Sequence, residues 1–211
     1  PIPIMIESDR LVRQRLLEFA KVLAPNEGYN LTELPGLRIL RTETVLHDVP
    51  VLYKPGAVFV LQGRKQGMLE GDVYLYDEEH YLSVSVPVPF RMESVASADR
   101  PLLAIYMDFD MQLAAEIASE IEKQPSQTPA VQAKSLISSR MGPDILDVLL
   151  RLLQALTNPV ETAVLGKGIL RELHYRVLVG PQGGAMISAL QQRGTPGKIV
   201  QSLAQLRETY R

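Results

Sequence analysis

The sequence predicts an α+β fold: a leading helix, an antiparallel β-barrel or sandwich, then a helical subdomain. Three observations carry that expectation. Between residues 31 and 109 apolar residues recur at every second position, in short runs separated by glycine-bearing turns. In residues 7–22, and again beyond residue 109, the spacing lengthens to three or four, the period of a helix. The chain has 211 residues, 46% of them apolar, and a chain of that size buries roughly 70% of the surface its unfolded form exposes.

Each element has its own warrant. Residues 7–22 place Leu11, Leu16, Phe19 and Ala20 near one stripe, with Ser8 or Asp9 as cap, and Pro25, Asn26 and Gly28 end the helix. LRILRTET (37–44) alternates, Leu37 and Ile39 opposing Arg38 and Leu40. AVFVLQG (57–63) is apolar enough to be buried on both faces. DVYLYD (72–77) sets Val73 and Leu75 against Tyr74 and Tyr76. YLSVSVP (81–87) sets Leu82, Val84 and Val86 against Ser83 and Ser85. FRMESV (90–95) and PLLAIYMDF (101–109) complete the strands, with hairpin connectors expected at KPG (54–56), GRKQG (63–67) and EGD (70–72). Pro87 and Pro89 predict a strand edge or bend.

Asp110 caps a predicted helix over 111–123, and QPSQTPAVQ (124–132) reads as a loop. Pro143 opens a helix over 142–158 whose leucines cover two adjoining faces, so it needs partners on two sides. Asn158, Pro159 and Glu161 start the next, which Gly180 stops. Two more helices are expected, over 183–194 and 195–211.

Composition excludes several classes. Without cysteine there is neither a disulfide framework nor thiol chemistry, which fits a reducing cytoplasm. No apolar run reaches the roughly 18 residues of a membrane span, and PIPIMIESDR lacks the basic cluster and long apolar core of a signal peptide. A soluble cytoplasmic protein without membrane attachment is expected. Net charge is −2. Residues 158–211 carry seven basic against three acidic groups, which ordinary helix surface explains as well as nearby nucleic acid does.

Catalytic equipment is sparse. The three histidines, His47, His80 and His174, lack the paired spacing of a barrel metal site, so neither metal nor cofactor is expected. His47 and His80 read as loop residues and His174 as a surface or interhelix residue. G-x-S-x-G is absent, and Ser83 and Ser85 have no acid or histidine at a suggestive spacing. GRKQG (63–67) lacks a P-loop pattern and reads as a hairpin. Asp108 with Asp110, and Glu78 with Glu79, sit at element ends, where capping or solvation accounts for them. Tyr74, Tyr76 and Tyr81 are the effector-binding candidates: either they line a pocket in a barrel mouth, or they form an outer face packed under helices. These features favour a binding module over an enzyme.

The order of segments then resembles a known family. PGAVFVLQGRKQG (55–67), YLSVSVPVP (81–89), ASADRPLLAIYMDFD (96–110), LRELHYRVLVGPQGGAM (170–186) and GKIVQSLAQLRETY (197–210) are similar, in this order, to the N-terminal regulatory domain of AraC/XylS-family bacterial transcriptional regulators. GGAMISAL (183–190) departs from a more basic family stretch. The resemblance implies a cupin-like antiparallel β-barrel or sandwich (31–109), preceded by an N-terminal helix and arm (1–30) and followed by a C-terminal helical dimerisation and linker region (110–211). It implies a small-molecule effector, a homodimer, and promoter DNA bound through a tandem helix-turn-helix domain expected after residue 211, with no DNA-reading residue in this chain. The 145–156 and 160–178 helices are the dimer candidates, with Leu149, Leu152 and Leu156 named for the interface, unless those faces are satisfied inside one chain. A metal-dependent cupin-type enzyme using His47 or His80, and a stand-alone interaction protein without a DNA-binding domain, are the alternatives.

Overall fold

A computed structural model describes residues 2–124 and 136–180, with Ile187. Helix α1 (Ile2–Leu23) leads into β1 (Gly28–Leu31), β2 (Leu37–Thr42), β3 (Val49–Tyr53), β4 (Gly56–Gln62), β5 (Arg64–Leu69), β6 (Asp72–Asp77), β7 (His80–Val84), β8 (Val88–Val95) and β9 (Leu102–Asp108). Helix α2 (Met111–Glu122), strand β10 (Leu136–Arg140), α3 (Pro143–Leu156) and α4 (Pro159–Leu178) follow. The strands run in the order β1-β2-β9-β4-β7-β6-β5-β8-β3, every pair antiparallel, and β10 adds to β7. The sheet curls until Tyr53, on the last strand, meets Tyr106 on the third. It is an antiparallel half-barrel with helices on its outer face.

Strand alternation builds two cores. On β9, Leu103, Ile105 and Met107 face the helices, while Leu102, Ala104 and Tyr106 face the inside of the curl. On β2, Leu37 and Ile39 go outward and Leu40 inward. Strands β4 and β9 are therefore buried on both sides, which is why their sequences are continuously apolar rather than alternating.

The turns are tighter than their motifs suggested. Gly63 alone joins β4 to β5, at φ +94°, and a Cβ there would lie 2.8 Å from Leu102. The rest of the GRKQG run is strand, not hairpin loop. Glu70 and Gly71, both at positive φ, close the β5–β6 hairpin. Pro89 sits within β8, opposite Leu52 of β3, but β5 stops pairing with β8 at Arg91. The missing N–H thus falls beyond the doubly paired part of the strand.

The predicted caps of α2, α3 and α4 are present. Asp110 accepts from the Leu113 amide, Asn158 from those of Val160 and Glu161, and Pro143 opens α3. Helix α1 starts at Ile2 rather than after Ser8, because a capping residue stops a helix only weakly when its neighbours continue it. Strand β10 was not expected from its pattern. The helices predicted over 183–194 and 195–211, and most of the 124–132 loop, lie outside the described residues.

Helix α3 packs between α1 and α4 and against the sheet. This uses up both of its apolar faces: Leu149 and Leu152 have 0% of their surface exposed, and Leu156 is half-buried against the same core. Leu149 and Leu152 are thus covered inside one chain, while Leu156 keeps part of its surface.

Candidate functional site

The most unusual residue inside the curl is a lysine. Strand parity puts Lys65, Gly67 and Leu69 of β5 on its inner face. Lys65 is 1% exposed. Its Nζ donates to the Tyr53 hydroxyl at 3.1 Å and to that of Tyr106. Tyr53 also shares a hydrogen bond with Tyr76 at 2.9 Å. The rings of Tyr53, Tyr76 and Tyr106 stand 5.7, 5.7 and 5.1 Å from the ammonium position. Phe90 packs edge-on to Tyr53, lying over Gly67, where any Cβ would strike its ring.

No carboxylate reaches Lys65 among the described residues. An ammonium buried without a counter-charge costs several kcal/mol, and the surrounding rings return only part of this. Burial accordingly lowers the Lys65 pKa to about 7. The same burial raises the phenols of Tyr53, Tyr76 and Tyr106 well above the usual tyrosine value, so they stay protonated.

A rim surrounds this cluster. Tyr29 of β1 meets Tyr106 edge-on, and the Arg38 guanidinium lies 5.0 Å from each of those two rings while pairing with Asp108 at 3.0 Å. Tyr29 and Tyr53 belong to the two end strands of the sheet, which do not pair with each other. The cluster therefore sits behind the seam of the half-barrel. A cavity of about 100 Å³, lined by His47, Arg64, Lys65, Gln66, Glu93 and Ser94 among others, adjoins Lys65.

The three tyrosines named from the sequence do not form one group. Tyr76 is fully buried in the Lys65 cluster, and Tyr74 is half-buried at the edge of the inner core. Tyr81 points the other way, stacking on Phe59 at 5.2 Å under the helices. Lys65, Tyr53 and Tyr106 were missed. Their signal was present but faint: one lysine on the apolar parity of a strand hidden in GRKQG.

Residues 33–185 match the family described as AraC-type transcriptional regulator N-terminus. The chain belongs to this family. No curated protein matches it. Among solved structures, its trace is similar to apo ToxT of Vibrio cholerae in a single-site variant, at 7% identity and TM-score 0.47, covering 76% of this chain and 59% of that one. Wild-type ToxT of Vibrio cholerae bound to an unsaturated fatty acid aligns at 9% identity and TM-score 0.45, covering 71% of this chain and 54% of that one. The AraC-like transcriptional activator CuxR aligns at 14% and 0.37, covering 74% and 53%. This chain thus spans between half and three-fifths of the length of these structures.

The histidines of this AraC-type domain are far apart in role. His80 pairs with Asp77 across a turn at 2.9 Å, and His47 lines the small cavity. His174 is fully buried between α4 and the start of α2, the interhelix rather than the surface placement of the two expected. Its Nδ1 donates to the Leu170 carbonyl at 2.8 Å, and its Nε2 accepts the Asp110 amide at 3.0 Å. Those partners require the neutral ring, and burial lowers its pKa. Among the described residues no three His, Asp or Glu side chains gather as a metal site.

Among the described residues helix α4 leaves one face partly uncovered, bordered by Ile117 and Glu120 of α2. Val160 and Val164 are 70% and 74% exposed, and Tyr175 and Val179 each 40%. Gly168 lies on the same face with nothing near its Cβ position, whereas Gly166 is explained by Leu34 packed against it.

Proposed function

We propose that this chain is the effector-sensing regulatory part of a DNA-binding transcription regulator, with residues 31–109 forming the sensing half-barrel and 110–211 the dimerisation and linker region. The effector is a small molecule taken up inside the curl, at the cluster of Lys65, Tyr53, Tyr76 and Tyr106. The observation that supports this is the buried amine itself: a packed core of this size has no structural need for an uncompensated lysine, while a binding site does. Promoter DNA would be contacted by a helix-turn-helix domain following residue 211, in the cytoplasm. Among the described residues no helix is long and apolar enough to cross a membrane. The site binds and does not turn over its ligand.

The partner is a second copy, and the exposed face of α4 is its surface. Val160, Val164, Gly168, Arg171, Tyr175 and Val179 are spaced 4-4-3-4-4, a palindrome. Antiparallel pairing about its midpoint sets Val160 on the partner's Val179, Val164 on the partner's Tyr175, and Lys167 on the partner's Glu172. Gly168 falls at the crossing, where the absence of a side chain admits a second backbone.

Thermal unfolding of the chain against a metabolite library tests the effector reading. A ligand should raise the midpoint saturably, and Lys65→Met should lose the shift while keeping the circular-dichroism spectrum. No shift from any compound would end it.

A further inference from the structure

We propose that Lys65 is a carbonyl-capturing residue, and that the molecule it takes is a small aldehyde held as an imine on Nζ. The proposal rests on the reading of the half-barrel interior as the effector site, and it names the chemistry of that site.

The arrangement of hydrogen bonds is the first support. Lys65 Nζ donates to two hydroxyls, those of Tyr53 and Tyr106, and to nothing else among the described residues. A neutral amine has two N–H groups, so these two bonds employ both and leave the lone pair uncommitted. An ion-paired lysine would have no such lone pair. The burial that strips the amine of counter-charge also favours its neutral, nucleophilic form.

The second support is the pair of phenols at the reacting atom. The lone pair adds to the carbonyl carbon, and the carbonyl oxygen takes a proton from a tyrosine hydroxyl. The carbinolamine nitrogen returns a proton to that phenolate; the phenol then protonates the hydroxyl, which leaves as water, and takes back the last N–H proton. The balance is one amine and one aldehyde giving one imine and one water, without oxidant or reductant. The Tyr53–Tyr76 hydrogen bond lets the proton be shared along two hydroxyls.

Space is the third. A cavity of about 100 Å³ is lined by Lys65, though by none of the three tyrosines, and its size suits a short-chain compound, not a long or branched one. Tyr53 is carried by an end strand paired only with β8. Imine formation removes both N–H donors from Lys65, so Tyr53 and Tyr106 lose their shared partner. The change in the ligand is thereby transmitted to the edge of the sheet.

The test uses propanal with cyanoborohydride at pH 7 on the whole chain, followed by intact mass and peptide mapping. The expected result is a single reduced adduct on Lys65, forming more than about tenfold faster than on any exposed lysine. In urea, where the cluster is dissolved, that preference should vanish. Lys65→Met should give no fast adduct while keeping the native unfolding midpoint or exceeding it. Adducts confined to exposed lysines such as Lys21, Lys54 and Lys167 would overturn the proposal. In that event a non-carbonyl compound that still raises the unfolding midpoint would leave the effector reading standing, and only the imine would be lost.

Discussion

A lysine amine held between phenols inside a curled sheet fixes how stability responds to alkali. The unfolded chain takes up a proton on Lys65 below pH about 10.5, the folded chain only below about 7. Between those values the unfolded state binds more protons, so stability rises with pH, by up to about 1.4 kcal/mol per unit. Below pH 7 the penalty is complete and flat. Lys65→Met should therefore be more stable than the parent at pH 7, and urea melts at pH 7, 8 and 9 should show its slope removed. Parallel slopes in the two proteins would mean that Lys65 is charged when folded. This residue also marks where sequence reading stopped. Two cations between two glycines look like a solvated hairpin, and only the strand register, with Gln66 opposite Leu75 and Lys65 opposite Tyr76, turns one of them inward. Tyr76 and Tyr81 show the same limit. They belong to different strands, β6 and β7, which pair at Asp77 and His80, and they end on opposite faces, one with Lys65 and the other with Phe59.

At the scale of elements, alternation and caps were legible because they are local. Val58, Val60 and Phe59 declare a strand buried on both faces, and Asn158–Pro159 declares a helix start, without reference to anything distant. Strand β10 was not legible, since SLISSR alternates too briefly and its partner β7 lies more than fifty residues earlier. Helix α3 was legible as a helix but not in its role: amphipathicity tells that Leu149 is covered, not by what. The structure covers it with α1, α4 and the sheet, and the proposed interface moves to α4. Two substitutions separate the cases. Leu149→Ala empties a fully buried site and should cost about 2–5 kcal/mol in stability with the association state unchanged. Val164→Lys, on a residue 74% exposed, should leave the unfolding midpoint within about 0.5 kcal/mol and convert a dimer to a monomer in sedimentation equilibrium. A Val164→Lys protein that still sediments as a dimer would remove α4 from the interface.

For the whole molecule the question is how a change inside the half-barrel reaches the helices on its outer face. The two cores meet along β9, whose successive residues alternate between them, and β9 runs directly through Asp108 and Phe109 into the cap of α2. There His174 of α4 accepts the Asp110 amide, and its ring lies 5.5 Å from that of Phe109. One buried imidazole thus ties the strand that carries Tyr106 to the helix proposed to carry the dimer surface. The tie holds only while the ring is neutral, because a proton on Nε2 would face the Asp110 N–H. Asp108, Glu116, Lys167 and Arg171 border the groove beside it, but none of them bonds the ring. Burial lowers the His174 pKa, so the unfolded chain is protonated near pH 6.5 while the folded chain is not. Stability should fall as pH drops through 6.5 and continue falling until the folded ring is itself protonated. His174→Leu satisfies neither partner, so it should lose about 1–3 kcal/mol at pH 7, yet show a flatter midpoint between pH 7 and 5 than the parent. If the variant keeps the parent's acid slope, another group titrates there, and the tie between β9 and α4 is packing alone. If the slope goes, and propanal adds to Lys65 in the variant as fast as in the parent, the sensing cluster and its link to α4 are separable parts of one domain.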